Sequence, residues 1–376
     1  MLEELWNNKS VIIRNYISIL RNNIIGIITV TIILCLLVIY AYLRYQSFKP
    51  SAKLLHPEIE TFTDTEPNNI IQQHPVTSKY QFIFINPGST ESKALYTSCY
   101  QHYLSGFNQP NIQARGFDTK AELERTYKTL IIPITPAEQT HISSTLGSIL
   151  SQIQDTKLAK VTSWISQASI AKGAKWLESG MPHTHSNTMI MNAGWISKPT
   201  CSTYFHELFH IIQRNNPAIF ENLYTQSWNF KKVAGGTKSI LGLDTQISMA
   251  RMNPDANDFC WIWLDNINGK YYWINAIFTQ SAPTSLLAVQ YLAYPLIQQQ
   301  DGQTYRYLGS QPIELKALSA FVNRFGIGYN HYHPNEIASQ YAEYYFVADS
   351  SQIPPEIKNK PAYHAFINWL DNVTNL

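Results

Sequence analysis

Residues 22–43 (NNIIGIITVTIILCLLVIYAYL) carry no charged side chain and are bracketed by Arg21 and Arg44. At about 1.5 Å per residue, the apolar part of this run spans a hydrocarbon core of roughly 30 Å. So long an uncharged run fits a single membrane-crossing helix and not a buried core helix. A cleavable signal peptide needs a shorter apolar core and small residues at its end, whereas this run closes on Tyr40, Ala41, Tyr42 and Leu43. The flanking charges do not orient it, because Lys9, Arg14 and Arg21 on one side balance Arg44, Lys49 and Lys53 on the other. The large downstream domain is expected on the extracytoplasmic side.

The rest of the chain divides around this run. Residues 1–21 form an N-terminal flank whose apolar residues continue towards the span or lie at the interface. Residues 44–78 carry Pro50, Pro57, Pro67 and Pro75 among polar side chains and read as a stalk. Order is expected from Tyr80, so residues 79–376 make the folded domain. Across the 376 residues only 14% are charged, and 28 Lys and Arg against 26 Asp and Glu leave a net charge of +2. That balance excludes an electrostatic nucleic-acid binder, and the membrane through 22–43 is the one non-protein partner the sequence implies. Cys99, Cys201 and Cys260 are too few for a disulfide scaffold and do not fix the compartment.

Strand signals come early in the domain and helix signals late, which predicts an α+β fold. YQFIFIN from Tyr80 is strand-like and stops at Pro87-Gly88, and TLIIPI (129–134) reads as a second strand. Thr135-Pro136-Ala137-Glu138 opens a helix to about Ile153, with Thr as cap, Pro in the first turn and Glu closing a capping box. NTMIMNA (187–193) has strand character. FCWIWLD and KYYWINAIF flank a turn near Asn268-Gly269 and predict a hairpin whose aromatics pack a core. Helices are expected over 315–325, after Pro334 and over 362–373.

The chemistry concentrates in Cys201–Arg214 (CSTYFHELFHIIQR). On a helix His206 and His210, four residues apart, share a face and can aim imidazole nitrogens at one cation. Glu207 is displaced around the helix, where it can accept a proton from water at the metal's open position. Phe205, Leu208, Phe209 and Ile212 give the helix an apolar face, Thr200 or Ser202 can cap it, and Asn215-Asn216-Pro217 ends it. With 11 histidines in 376 residues, H-E-x-x-H arises by chance on the order of 0.01 times per chain of this size. One Zn²⁺ per chain is therefore the expected cofactor.

A catalytic zinc takes a third protein ligand. His333-Pro334-Asn335-Glu336-Ile337-Ala338-Ser339-Gln340 offers one, since Pro334 can begin a helix on which Glu336 and Gln340 share a face. Glu336 is the expected ligand, and the Gln340 amide is expected on a ligand histidine. Glu343 is the alternative ligand. His331, His333 and Asp255 remain as further candidates.

HELFH followed downstream by NEIASQ resembles the gluzincin metallopeptidases, above all the thermolysin-like pattern in which an N-E-x-x-S-D helix supplies the third ligand and an orienting Asp. The resemblance implies a zincin-like catalytic domain behind the membrane helix, with His206, His210 and Glu336 on zinc and Glu207 as general base. It also implies a peptide or protein substrate. Gln340 stands where that family has its carboxylate. MPHTH, HELFHIIQR, RMNPD and HPNEIA, in that order, more faintly resemble a group of predicted zinc peptidases from microbial and viral genomes.

Metallopeptidases of this kind hold the substrate backbone on an edge strand near the zinc helix, which gives that role to 187–193 by β-augmentation. His183 and His185 alternate on the extended chain before it and are expected to face one side. Candidates for stabilising charge on the reacting carbonyl oxygen, or for donating a proton, are Tyr332, His333, His183 and Arg251. Arg251 is alternatively a loop pin through Asp255.

Overall fold

The computed structural model describes residues 74–77, 80–196, 201–328, 330–346 and 353–374. The expected flank and membrane helix, and nearly all of the expected stalk, lie outside them. Among the described residues no helix is long and apolar enough to cross a membrane. The chain divides into Met1–Pro67 and Asn68–Leu376, and the fold below is that of the second unit.

The architecture is α+β, with two sheets and four long helices among the described residues. The first strand, β1 (His74–Thr77), precedes Tyr80 and uses the last residues of the stretch expected as a stalk. It pairs antiparallel with β2 (Tyr80–Ile85), which ends at the turn through Gly88, φ 74°. Of the strand expected at 129–134 only β3 (Ile131–Ile132) forms. Helix α1 (Pro136–Ile153) follows, capped as the sequence predicts: Thr135 Oγ1 accepts from the Glu138 amide while Glu138 reaches back to the Thr135 amide.

Three further strands complete this sheet: β4 (Gln167–Gly173), β5 (His183–His185) and β6 (Thr188–Asn192), in the order β1-β2-β4-β6-β5. β4 runs parallel to both β2 and β6, and β3 pairs with β4 off this path. The strand expected as an edge at 187–193 is not an edge. β6 is paired on both sides, because Ser186, at φ 49°, turns the preceding residues back antiparallel along its outer flank. The edge is β5.

The second sheet holds β7 (Phe230–Lys232), β8 (Ile240–Leu241), β9 (Trp261–Asp265), β10 (Lys270–Phe278), β11 (Val289–Gln298), β12 (Tyr305–Tyr307) and β13 (Ile313–Glu314). β9 and β10 form the predicted hairpin, with Lys270 opposite Asp265 and Gly269 in the left-handed region at φ 69°. Trp263, Tyr272 and Trp273 are buried, so the aromatic wealth of this hairpin is core packing. The helix expected at 315–325 begins as a 3-10 turn and becomes α-helical only over Ser319–Phe325.

The remaining long helices are α2 (Cys201–Asn215), α3 (Pro334–Phe346) and α4 (Pro361–Thr374). α2 is the central element, packed against β5, β6, α1 and α3. Every residue from Tyr204 to Gln213 is buried, so its polar side chains must find partners inside the protein. Ala338, Ser339 and Ala342 of α3 are fully buried, and such small side chains let α3 lie close along α2. Cys99, Cys201 and Cys260 are free thiols.

Candidate metal centre

The partners of each buried polar group on α2 decide which way it points. His210 Nδ1 lies 2.8 Å from Gln213 Oε1, one helical turn on. The Gln213 amide nitrogen donates to the Asn335 carbonyl at 2.8 Å and to the Tyr224 hydroxyl at 3.1 Å, which fixes its oxygen as the acceptor facing His210. His210 therefore carries its proton on Nδ1, and Nε2 is left with a lone pair. The Ser339 hydroxyl adds a second contact to Nδ1 at 3.1 Å and donates to Gln213 Oε1 at 3.3 Å.

His206 is fixed in the same manner by a carboxylate. Its Nδ1 lies 3.3 Å from Glu343 Oε2, an acceptor, so its Nε2 lone pair also turns inward. The two Nε2 atoms stand 3.2 Å apart. Glu336 Oε2 is 3.7 Å from each of them, while its Oε1 accepts a 2.6 Å bond from the Asn253 amide. These three buried ligand atoms form the one group among the described residues that could hold a metal ion.

The triangle fits a cation on two counts. Bonds of 2.0–2.1 Å to a tetrahedral ion place neighbouring ligand atoms about 3.3 Å apart, close to the spacing seen. Two inward lone pairs and a carboxylate oxygen also face one another across a gap where only positive charge relieves them. Burial opposes the charge of Glu336, yet the His206 and His210 rings facing it hold its carboxyl well below the usual range. Burial likewise works against charge on His206, but the Glu336 and Glu343 carboxyl groups beside it hold its pKa well above the ordinary histidine value.

Glu207 stands apart from this network. It is 5% exposed, its Oε2 has no hydrogen-bond partner, and it lines the same cavity of about 360 Å³ as the triad. Burial pushes its carboxyl well above the ordinary range, Asp255 and Glu336 push the same way, and His206 opposes them. A buried carboxylate with an idle oxygen is expensive to keep unless something is to bind it.

The segment Arg251–Asp258 locks the parts together. Asn253 Nδ2 bridges Glu336 and the Tyr332 hydroxyl, at 2.6 and 2.8 Å. Asp255 pairs with Arg214 at 2.6 Å and accepts from the Thr184 amide at 3.2 Å and from the Thr184 hydroxyl. The loop pin thus runs from Asp255 to Arg214 on α2 and not to Arg251. The same contacts occupy the outer edge of β5, where Thr184 O accepts from Arg214 at 3.1 Å and Pro182 has no amide proton. Backbone pairing of an extended peptide with this edge is blocked at Thr184.

Other expected residues lie elsewhere. Gln340 does not reach a ligand histidine, since its amide donates to Glu343 Oε2 at 3.1 Å. His333 is turned to Asp258, 2.7 Å away, and His331 sits against the Gly326 carbonyl outside this cavity. His183 and His185 do face one side, but both pack on Tyr100, and His183 Nε2 lies 2.5 Å from the Tyr100 hydroxyl. Of the two only His183 lines the cavity, as does Arg251. The roles of Gln213, Ser339 and Asn253 are not marked by any sequence motif. Gln213, three residues after His210 on the same helical face, was the one with a local signal.

Beside the cavity a buried cluster supports the His183 end of β5. Arg115 holds Glu178 with a forked pair of bonds at 3.0 and 2.6 Å, and the Tyr127 hydroxyl adds another at 2.9 Å. Breaking so buried a pair leaves an uncompensated charge. Arg115→Ala is expected to cost about 3–5 kcal/mol of stability, read as a lower urea midpoint.

Comparison with protein-family models, with characterised proteins and with solved structures returned no match. The spacing of His206 and His210 on α2 fits the H-E-x-x-H pattern, and the converged His206-His210-Glu336 group could hold one metal ion, an arrangement consistent with a metal hydrolase.

Proposed function

We propose that this chain is a zinc-dependent peptidase of gluzincin type, tethered by residues 22–43 with its folded domain on the extracytoplasmic side. The observation that carries the reading is the convergence of two lone-pair nitrogens and a carboxylate oxygen next to Glu207, in the lining of one cavity. Two histidines and a carboxylate, with room for a fourth partner, are a donor set suited to catalytic zinc. A zinc ion held by His206, His210 and Glu336 supplies Lewis acidity towards a carbonyl oxygen and makes water a stronger acid.

The chain's own groups do the remainder. Glu207 takes the proton of the attacking water and passes it to the departing amine. Gln213, Ser339 and Glu343 keep the histidine protons on Nδ1, so that both Nε2 atoms stay available. Asn253 holds one oxygen of Glu336 and leaves the other for the ion. A metal-binding module without activity has no use for Glu207 beside the triad, which favours the enzyme.

Elemental analysis of the full-length protein tests the metal. One zinc per chain is expected, and His206→Ala and His210→Ala should each abolish stoichiometric binding. Full retention of zinc in both variants would sink the site. Digestion of a peptide library, stopped by a zinc chelator, then tests the activity, and resistance of the protein to carbonate extraction from membranes tests the tether.

A further inference from the structure

Arg251 is 7% exposed, lies in the wall of the triad's cavity and has a buried Nε with no hydrogen-bond partner. Its Nη atoms reach only the Leu286 carbonyl and the Tyr332 hydroxyl, each at a long 3.4 Å. No ion pair of Arg251 occurs among the described residues. Arg115, the one other arginine buried to this degree there, holds a carboxylate at 2.6 Å, and the less buried Arg214 does the same. Arginine does not discharge itself by losing a proton, so a buried guanidinium without a paired anion is strongly unfavourable. Such a cost is tolerable where a ligand brings the missing charge.

We propose that Arg251 is the receptor for a substrate carboxylate next to the scissile bond. This deepens the peptidase reading above and rests on it. Asn253 and Tyr332 set the reach: bonds of 2.6, 2.8 and 3.4 Å in series join Glu336 to Arg251. One extended residue advances a peptide by about 3.8 Å between Cα atoms, and a charge-assisted bond from arginine to carboxylate adds about 2.8 Å. The series of bonds therefore keeps the guanidinium within about one to two extended residues of the triad, so a carboxylate close to the scissile bond can meet it. Leu286, Leu287 and Tyr291, also in the cavity wall, give the intervening side chain an apolar surface. The blocked edge of β5 points the same way, because a site that cannot hold a long backbone by strand pairing needs another anchor. Either the C-terminal carboxylate of a short peptide or an acidic side chain supplies this chemistry.

The test is a binding measurement on the full-length, zinc-loaded Glu207→Gln protein, in which no turnover is needed. The probes are dansyl-Ala-Ala-Phe with a free carboxylate, its C-terminal amide, and the amide of dansyl-Ala-Asp-Phe, followed by fluorescence. The free acid should bind at least tenfold more tightly than the amide, and Arg251→Gln in the same background should erase the difference. Arg251→Lys should keep part of it, which guards against a variant that merely misfolds. Preference for the Asp-containing amide over the plain amide, without preference for the free acid, would assign the source to a side chain. Equal binding of all three probes, or a preference that survives Arg251→Gln, would overturn the proposal. Both results leave the peptidase reading standing if the wild-type protein cleaves peptides, and a carboxylate preference in a protein that cleaves nothing would overturn that reading alone.

Discussion

Glu207→Gln is expected to lower hydrolysis by about 10²–10⁴-fold while the protein keeps one zinc per chain. The two outcomes separate because Glu207 is not part of the converged triad, so its replacement leaves His206, His210 and Glu336 in place. Glutamine is nearly the same size and still fills the cavity wall, but it cannot take a proton from water. The loss should fall on kcat and on kcat/KM alike, since the missing interaction is made only as the proton moves. A variant that cleaves as well as wild type would rule out Glu207 as the base. A wild type that holds zinc yet cleaves nothing across a broad library would favour a binding module instead.

What the sequence made legible follows from the range over which its signals act. The α1 capping box and the β9–β10 hairpin are written within a few residues each, as caps, turn glycines and alternating aromatics. The His206–His210 face is likewise a local property of one helix. β4 left no such trace. Its buried Ala168, Ala171 and Gly173 are small because strands on both sides and helices on its faces crowd it, and none of these is a strand former. β11 was hidden by Pro295, which argues against a strand. It is tolerated because it falls between Leu292–Ala293, paired by β13, and Leu296–Gln298, paired by β12.

In the site the division is similar. Glu336 could be nominated from Asn335-Glu336 after a proline, but the partners of the triad come from positions far apart in the chain. Asn253 meets Glu336 across 83 residues, and Ser339 meets His210 across 129. No spacing rule reaches so far. The edge strand lies one turn before the segment that periodicity marks, because periodicity marks a strand but does not say on which flank its neighbour lies. The segment Arg251–Asp258 looks like an ordinary polar loop in sequence. It earns its place only when α2, α3 and β5 are brought around it, with Asn253 on Glu336 and Asp255 on Arg214 and Thr184.

Glu336 and Glu343 lie on one helix and both touch His206, so their replacement distinguishes a ligand from a partner of a ligand. Seven residues separate them, which is about 10 Å along the axis of α3 at 1.5 Å per residue. One ion cannot take both carboxylates directly. Glu336 Oε2 faces the two Nε2 atoms at 3.7 Å, whereas Glu343 Oε2 meets His206 on the far side of its ring, at Nδ1. Removing Glu343 therefore frees the His206 tautomer without taking away a donor. Glu343→Ala is expected to weaken zinc binding by about 10–100-fold, and Glu343→Gln, which keeps an acceptor oxygen, by less. Glu336→Ala should weaken it well beyond that range, because two neutral histidines are left to hold a divalent ion with no negative charge beside it. Competition with a calibrated zinc chelator reads all three. In a zinc-loaded crystal structure Glu336 Oε should lie within about 2.0–2.2 Å of the metal. Equal losses from Glu336→Ala and Glu343→Ala would reject the assignment of the third ligand, and so would a metal bound to the Glu343 carboxylate, while the histidine pair would still stand as its base.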